Sequence, residues 1–229
     1  DFVNQHKTLQ NISKRVYSIQ LSGDKQKEKF RLISFDAVLK ESVKEFDVDK
    51  NVETERTYYT RERISVAWLY EYQTFGAVVG RKEMLNVAED ILEYILHKKL
   101  HKSYRQSVFT TESINNLYKR ILNVFTEKGL SGYDAGLRDV ILLGATVPTD
   151  TLQRIVTYGR SLHKSDIVRD LINAFRRLGV VGIIFEFKGV RHRIYIHENG
   201  MISTATRLEE IDFVDLVLKV LGLFGLDLS

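Results

Sequence analysis

The chain of 229 residues contains no cysteine and only one proline, Pro148. The absence of cysteine excludes disulfides, cysteine–zinc sites and a thiol nucleophile, and it fits a reducing compartment. A long uncharged apolar run is also missing, because the apolar segment at 213–226 is interrupted by Asp215 and Lys219. Such a segment is too short and too charged to span a bilayer. We therefore expect an intracellular, cytoplasmic protein without a membrane partner.

Common catalytic motifs are absent as well. Gly-x-Ser-x-Gly and His-Glu-x-x-His do not occur, and "GAVVGRK" at 76–82 departs from the spacing of a phosphate-binding loop. His97 and His101 have helical i, i+4 spacing, but they lie among lysines opposite the apolar stripe. We expect no metal, no cofactor and no catalytic residue. Enzymatic activity stays open only as a nuclease that would use His197.

The basic residues are unevenly distributed along the chain. The net charge is +4 and the isoelectric point is about 9.1. Nine Lys or Arg residues face three acids over residues 151–193, an excess of six positive charges. Over residues 194–229 two basic residues face six acids. A concentrated basic segment is typical of a surface that binds phosphates.

Hydrophobic periodicity and turn residues predict an α+β fold in three parts. Residues 1–60 are expected to hold an N-terminal β-hairpin, a short helix and a polar linker. Residues 61–147 are expected to be a helical region. Residues 148–229 are expected to form an α+β domain, built as a helix, a three-stranded antiparallel sheet and a final helix that starts at a capping box over Thr206–Glu209.

The N-terminal and middle parts contain the following predicted elements. The hairpin spans residues 14–36, the short helix residues 37–46 and the linker residues 47–60. The clearest helices of the middle part are at 81–102 and 110–129, where apolar residues recur at helical spacing. In the C-terminal part, two further helices are predicted at 149–162 and 164–179, before the three strands.

The stretch "GIIFEFKGVRHRIYIHENGMIST" at 182–204 predicts three strands joined by two-residue turns, at "GV" and at "NG". Because side chains alternate between the two faces of a strand, Arg193, Tyr195 and His197 are expected to lie side by side on the outer face. His192 is expected to point to the core side. The two histidines would then be unable to act as a catalytic pair.

These features predict non-catalytic binding of nucleic acid by a basic helix and the sheet face that follows it. Phosphate contacts are expected from Lys164, Arg169, Arg176, Lys188, Arg191 and Arg193. Tyr195 is expected to stack on a base, with His197 in the same row. The expected partner is therefore DNA or RNA. The alternative is a protein-interaction or assembly module that forms homo-oligomers, suggested by the apolar tail "LVLKVLGLFGLDL" at 216–228.

Two resemblances accompany this hypothesis. The order helix, hairpin and further strand over residues 149–204 resembles a winged-helix module, with "DIVRDLINAFRRLG" as the recognition helix and "KGVR" as the wing. The run at 182–204 and the acidic-capped helix after it are similar to the end of a TATA-box-binding-protein repeat. Neither resemblance includes a diagnostic motif, so neither assigns a family.

Overall fold

The computed structural model describes residues 8–49, 51–99, 119, 136–146, 154–174 and 177–225. The chain forms two compact units, Asp1–Arg105 and Gln106–Ser229. Each unit is built around one antiparallel sheet of five strands, so the protein is mostly β. Over the described ranges no helix is long and apolar enough to cross a membrane.

The first sheet is a meander in which each strand pairs with its neighbours along the chain. Its strands are β1 (Thr8–Gln10), β2 (Val16–Gln26), β3 (Phe30–Asp47), β4 (Val52–Leu69) and β5 (Thr74–Val78). The hairpin predicted over residues 14–36 is confirmed as β2 and the first part of β3. Buried and less buried positions alternate there, as expected when one face of a strand meets a core.

A helix covers one face of this sheet. Helix α1 (Leu85–Glu93) continues as a π-helical segment (Tyr94–Lys99), both inside the helix predicted at 81–102. Its apolar stripe packs with the strands into one core, formed by Val16, Ile19, Phe35, Ala37, Leu39, Ile64, Val66, Val87, Ala88, Ile91 and Leu92, with Leu9 and Ile12 beside them. The amphipathic pattern that predicts the helix therefore also identifies its buried face.

The β3–β4 hairpin extends well past this core. Its two strands pair without interruption from Phe30 opposite Leu69 to Asp47 opposite Val52. Beyond the buried Leu39, the side chains of β3 are exposed or half-buried, and those of β4 are exposed up to Thr60. We call residues 40–60 the arm. At about 3.4 Å per residue, each of its strands reaches about 25 Å beyond the core.

The second sheet has the order β10-β9-β8-β6-β7, and every neighbouring pair is antiparallel. Its strands are β6 (Leu137–Thr146), β7 (Arg154–Tyr158), β8 (Arg177–Phe187), β9 (Val190–His197) and β10 (Ile202–Thr204). A short 3-10 turn (Leu162–Lys164) and helix α2 (Asp166–Ala174) connect β7 to β8. Helix α2 lies inside the basic helix predicted at 164–179, but residues 177–179 of that prediction belong to strand β8.

Helix α3 (Glu210–Phe224) lies against the core face of the second sheet, where Lys219 Nζ is 5.0 Å from the ring centroid of Phe187. The core face carries Leu137, Val140, Leu143, Val181, Ile183, Phe185, Phe187, Ile194 and Ile196, all buried. The predicted capping box is wrong, because the helix begins after Glu209, which makes no side-chain capping bond. The amide of Thr206 instead donates to the hydroxyl of Thr204, 3.2 Å away.

The first turn of the 182–204 stretch differs from its predicted position. It consists of Lys188 and Gly189, both with positive φ (51° and 76°), the geometry of a type I′ turn. Phe185 therefore opposes His192, a shift of two positions from the predicted register. Because strand side chains repeat every two residues, this shift leaves each of them on its predicted face. His192 is accordingly 2% exposed, on the core side.

The second turn of the stretch is one residue longer than predicted. The loop spans Glu198–Gly200, so Ser203 rather than Thr204 opposes Tyr195. A shift of one residue exchanges the faces of a strand. Ile202 and Thr204 therefore share the face of Ile196 and Ile194, and Ser203 joins the outer face.

The predicted α+β fold with a helical middle and a three-stranded C-terminal sheet is wrong. Strands β3 and β4 occupy the predicted short helix and linker, and β7 occupies the predicted helix at 149–162. The β8–β9 hairpin lies inside a five-stranded sheet, with β6 and β10 on its two sides, so it is not a free wing. The helix predicted at 110–129 falls almost entirely outside the described residues.

Candidate nucleic-acid interface

The predicted site lies on the outer face of the second sheet. Arg193, Tyr195 and His197 share that face of β9, and the structure brings them together as predicted; their partners on β8 are Ile184, Gly182 and Val180. Arg193 is exposed, whereas Tyr195 and His197 are half-buried. The row therefore exists, but only its guanidinium end is fully open to a ligand.

Tyr195 has a structural role within this row. A Cβ atom at position 182 would lie 3.1 Å from Tyr195 Cδ1 and 2.8 Å from Leu142 Cβ, closer than a side chain tolerates. The tyrosine ring therefore lies over Gly182 and covers the backbone that this glycine leaves open. A ring held against the sheet in this way offers less of its surface to a base.

Two of the predicted phosphate contacts are engaged in ion pairs. Lys188 Nζ lies 2.6 Å from Asp212 Oδ1 at the start of α3, and this hydrogen bond raises the pKa of the lysine. Arg169 Nη1 lies 3.1 Å from Asp166 Oδ1 one turn earlier on α2. Both pairs are largely solvent-exposed, so each adds little stability, but each reduces the positive charge available to a phosphate.

Arg191 shares its acid with a second arginine. Glu186 Oε2 lies 3.1 Å from Arg138 Nε and 3.8 Å from Arg191 Nε. The hydrogen bond from Arg138, followed by the charges of Arg138 and Arg191, lowers the pKa of Glu186. The carboxylate therefore stays ionised and offsets positive charge on the outer face.

The remaining predicted residues lie apart. Lys164 ends the 3-10 turn and Arg193 lies on β9; both are exposed, and neither has an ion-pair partner within the described part of the chain. Arg176 falls outside the described residues. His192 and His197 lie on opposite faces of β9, which supports no shared catalysis. In the described ranges no group of three His, Cys, Asp or Glu side chains could hold a metal.

A second surface, on the first sheet, combines aromatic rings with cations. Tyr17 and Tyr59 pack edge to face, with ring centroids 5.6 Å apart and an interplanar angle of 69°. They are 42% and 57% exposed. Tyr17 comes from β2 and Tyr59 from β4, the two strands that flank β3 where the arm begins. Both rings are thus large apolar surfaces that the fold leaves in solvent.

Two cations adjoin these rings. Lys40 is the cross-strand partner of Tyr59, and its amide donates to the carbonyl of Arg15, 2.7 Å away. Lys40 and Arg15 are exposed, and no ion pair with any described residue engages them. We call Arg15, Tyr17, Lys40 and Tyr59 the tyrosine patch. Three of the five predicted C-terminal cations that the structure describes are paired with a carboxylate, whereas neither Arg15 nor Lys40 is paired with a described one.

Sequence spacing alone does not reveal the tyrosine patch. Its two rings are far apart in the chain and meet only because β3 lies between their strands. The single available signal is "TYYT" at 57–60, since Thr and Tyr favour strands and argue against a linker. That signal is weak because it lacks the alternation of apolar and polar residues.

Known proteins add no identification to this geometry. No protein-family model matches the chain, and no curated protein matches it either.

Proposed function

We propose that the protein binds nucleic acid without catalysing a reaction, and that the tyrosine patch is its principal contact surface. The observation that supports this proposal is the exposed pair Tyr17 and Tyr59, with the exposed cations Arg15 and Lys40 on the adjoining backbone. Neither cation forms an ion pair with a described residue. DNA or RNA is the partner class. Arg193 and Lys164 are secondary contacts of the same kind on the second unit.

The chemistry of the patch suits an unpaired strand better than a duplex. Exposed aromatic rings on a sheet stack on bases, and such stacking contributes about 1–3 kcal/mol per base irrespective of sequence. Cations beside the rings attract the phosphates that connect those bases. A duplex presents its bases stacked on one another, so the rings of Tyr17 and Tyr59 would have no face to contact.

The proposal is tested by the fluorescence anisotropy of a labelled single-stranded oligonucleotide. Arg15→Glu with Lys40→Glu is expected to weaken binding by at least tenfold at low salt, because two attractions become repulsions. Tyr59→Ala is expected to weaken it by about tenfold, since one stacking contact is lost. Tyr59→Phe keeps the ring and is expected to bind as the wild type does.

Lys25→Glu with Lys27→Glu is the matched control. It makes the same change in net charge at exposed positions at the far end of β2. A general electrostatic effect would weaken binding equally in both double variants. The proposal fails if the wild type does not bind at low salt, or if the control variant loses as much affinity as the patch variant.

A further inference from the structure

The outer edge of β4 is long and unpaired. On one side β4 pairs with β3 along its whole length; on the other, β5 pairs only with Ser65 to Leu69. The thirteen residues 52–64 therefore present their outward backbone groups to no strand of the described chain. Residues 52–61 are exposed throughout. An edge of this kind is a template for pairing with another strand.

This edge lacks three of the usual protections against pairing, although six of its thirteen residues are charged. Residues 52–64 contain no lysine and no proline, and the β3–β4 ladder has no bulge. Thr, Tyr and Val, which favour strands, make up six of the thirteen positions. The free edge of β3 in the arm differs, because it carries Lys40 and Lys44. Lysine is a common guard of exposed edges, so β4 is the better pairing edge.

We propose that the β4 edge pairs with the β4 edge of a second copy of this chain, antiparallel and about a two-fold axis at Tyr58. Twofold dimers are the commonest symmetric assembly, and their interface uses the same surface twice. Full overlap of the free edge with itself fixes the register, because residues 52 and 64 then oppose each other. Tyr58, at the midpoint, opposes Tyr58 of the second copy.

This register is complementary in charge. It places Glu55 opposite Arg61 of the second copy and Glu53 opposite Arg63 of the second copy. Each pair occurs twice because of the symmetry, and no like charges face each other. Within its own chain, neither Glu55 nor Arg61 has an ion-pair partner among the described residues. Cross-strand pairs of opposite charge stabilise a sheet, whereas like charges directly opposite destabilise it.

Parallel pairing of the same edges has the opposite consequence. It would place Glu53 and Glu55 against the same residues of the second copy, and likewise Arg61. The distal part of the arm is also acidic, since residues 41–55 hold six acids and two lysines. Two arms aligned tip to tip would repel, while an antiparallel pair separates the two tips.

The cysteine-free sequence permits a direct test by cross-linking. In antiparallel strands, directly opposed Cα atoms lie about 4.5–5.5 Å apart, within the range of a disulfide. Tyr58→Cys is therefore expected to give a disulfide-linked dimer under mild oxidation. The natural chain supplies no other thiol that could react. Tyr58 is exposed, so its replacement leaves the core unchanged.

Val43→Cys is the matched control on the other strand of the arm. Val43 is similarly exposed and is the cross-strand partner of Arg56. In the proposed dimer position 43 lies on β3, on the side of β4 remote from the interface, so its two copies are too far apart to form a disulfide. This variant is therefore expected to run as a monomer on denaturing gels. If it cross-links in preference to Tyr58→Cys, the β3 edges pair instead and the proposal is wrong.

Sedimentation of the uncross-linked protein provides the second measurement. Arg61→Glu alone and Glu55→Arg alone are each expected to weaken dimerisation by about tenfold, because each places like charges opposite each other. The two changes combined restore opposite charges and are expected to restore the dimer. A wild type that remains monomeric at all concentrations, or a double variant that adds the two losses, overturns the proposal. If the protein alone stays monomeric and gains mass only when a different protein is added, the proposed dimer is wrong, and the β4 edge pairs with a strand of that other protein.

Discussion

At the scale of single residues, His163 makes stability depend on pH. Its side chain is buried, and its Nδ1 lies 3.7 Å from Asp139 Oδ1. Burial lowers the pKa of His163 below its ordinary value of 6.5, Asp139 opposes this shift, and Lys164 adds to it. The folded protein therefore binds a proton less readily than the unfolded chain does.

The sign of the pH effect follows from this difference. Above about pH 6.5 the histidine is neutral in both states, and the stability is fully present. As the pH falls below that value, the unfolded state takes up a proton first, so the free energy of unfolding decreases. When the pH is lowered from about 7.5 to about 5, we expect the melting temperature of His163→Gln to fall less than that of the wild type. Identical losses in the two proteins would exclude His163 as a cause, and the slopes above pH 7.5 serve as the internal control.

His192 is a second buried histidine, with a different expected consequence. Its ring packs edge to face on Phe187, with centroids 6.3 Å apart, and its Nδ1 is buried without a hydrogen-bond partner among the described residues. An unsatisfied buried nitrogen stabilises nothing, so an apolar replacement of similar size removes a cost. We expect His192→Leu to change the free energy of unfolding by less than about 1.5 kcal/mol.

Ile194→Ala provides the comparison for His192→Leu. Ile194 is two residues along the same face of β9 and is 1% exposed. Its truncation leaves a cavity and is expected to cost about 2–5 kcal/mol. Denaturant unfolding of the two variants checks the difference. A cost for His192→Leu as large as that for Ile194→Ala would mean that the imidazole makes a stabilising contact.

At the scale of elements, the sequence predicts those segments that have one buried face. The hairpin over 14–36, α1 and the β8–β9–β10 run each alternate apolar and polar residues with the period of their structure. No described residue of the arm is buried, so residues 40–60 carry no such pattern. The sequence therefore predicts a short helix over 37–46 and a linker over 47–60 instead of two strands. Strand β7 is predicted wrongly for a different reason. Among the described strands it pairs only with β6, and its few residues "RIVTY" fit a helix equally well.

The candidate sites illustrate the same limit. Side chains alternate between the two faces of β9, so Arg193, Tyr195 and His197 share one face whether the turn begins at residue 188 or at residue 189. That row is therefore predicted correctly. Ion pairs such as Lys188 with Asp212 depend on how α3 packs, and no local pattern encodes this packing. The meeting of Tyr17 with Tyr59 likewise depends on the order of three strands. Local periodicity predicts which face of a strand or helix a side chain occupies. Contacts between side chains of different elements can be identified only once the three-dimensional fold is known.

At the scale of the whole molecule, charge and exposure separate into distinct surfaces. The distal arm is acidic and its strand edge is open, while the tyrosine patch at the base of the arm is basic and aromatic. In the proposed dimer Tyr59 opposes Thr57 of the second copy, so the two tyrosine patches become diagonal neighbours on one face. Dimerisation would then extend a small patch into a symmetric surface that can contact a longer strand of nucleic acid.

Shortening the arm is expected to separate the proposed dimerisation from the proposed binding of nucleic acid. Glu41 and Tyr58 are cross-strand partners, so an Asn-Gly turn between them can replace residues 42–57 and close the shorter hairpin. Those removed side chains that the structure describes are exposed or half-buried, so the melting temperature is expected to change by no more than a few degrees. Dimerisation should be lost, because more than a third of the free β4 edge is removed with the acids that oppose Arg61 and Arg63. Binding of a short oligonucleotide should remain, because Lys40 and Tyr59 are retained and the deleted segment carries net negative charge. Sedimentation and anisotropy on this one variant check both outcomes: a persistent dimer contradicts the edge interface, and a loss of oligonucleotide binding in a folded variant contradicts the tyrosine patch.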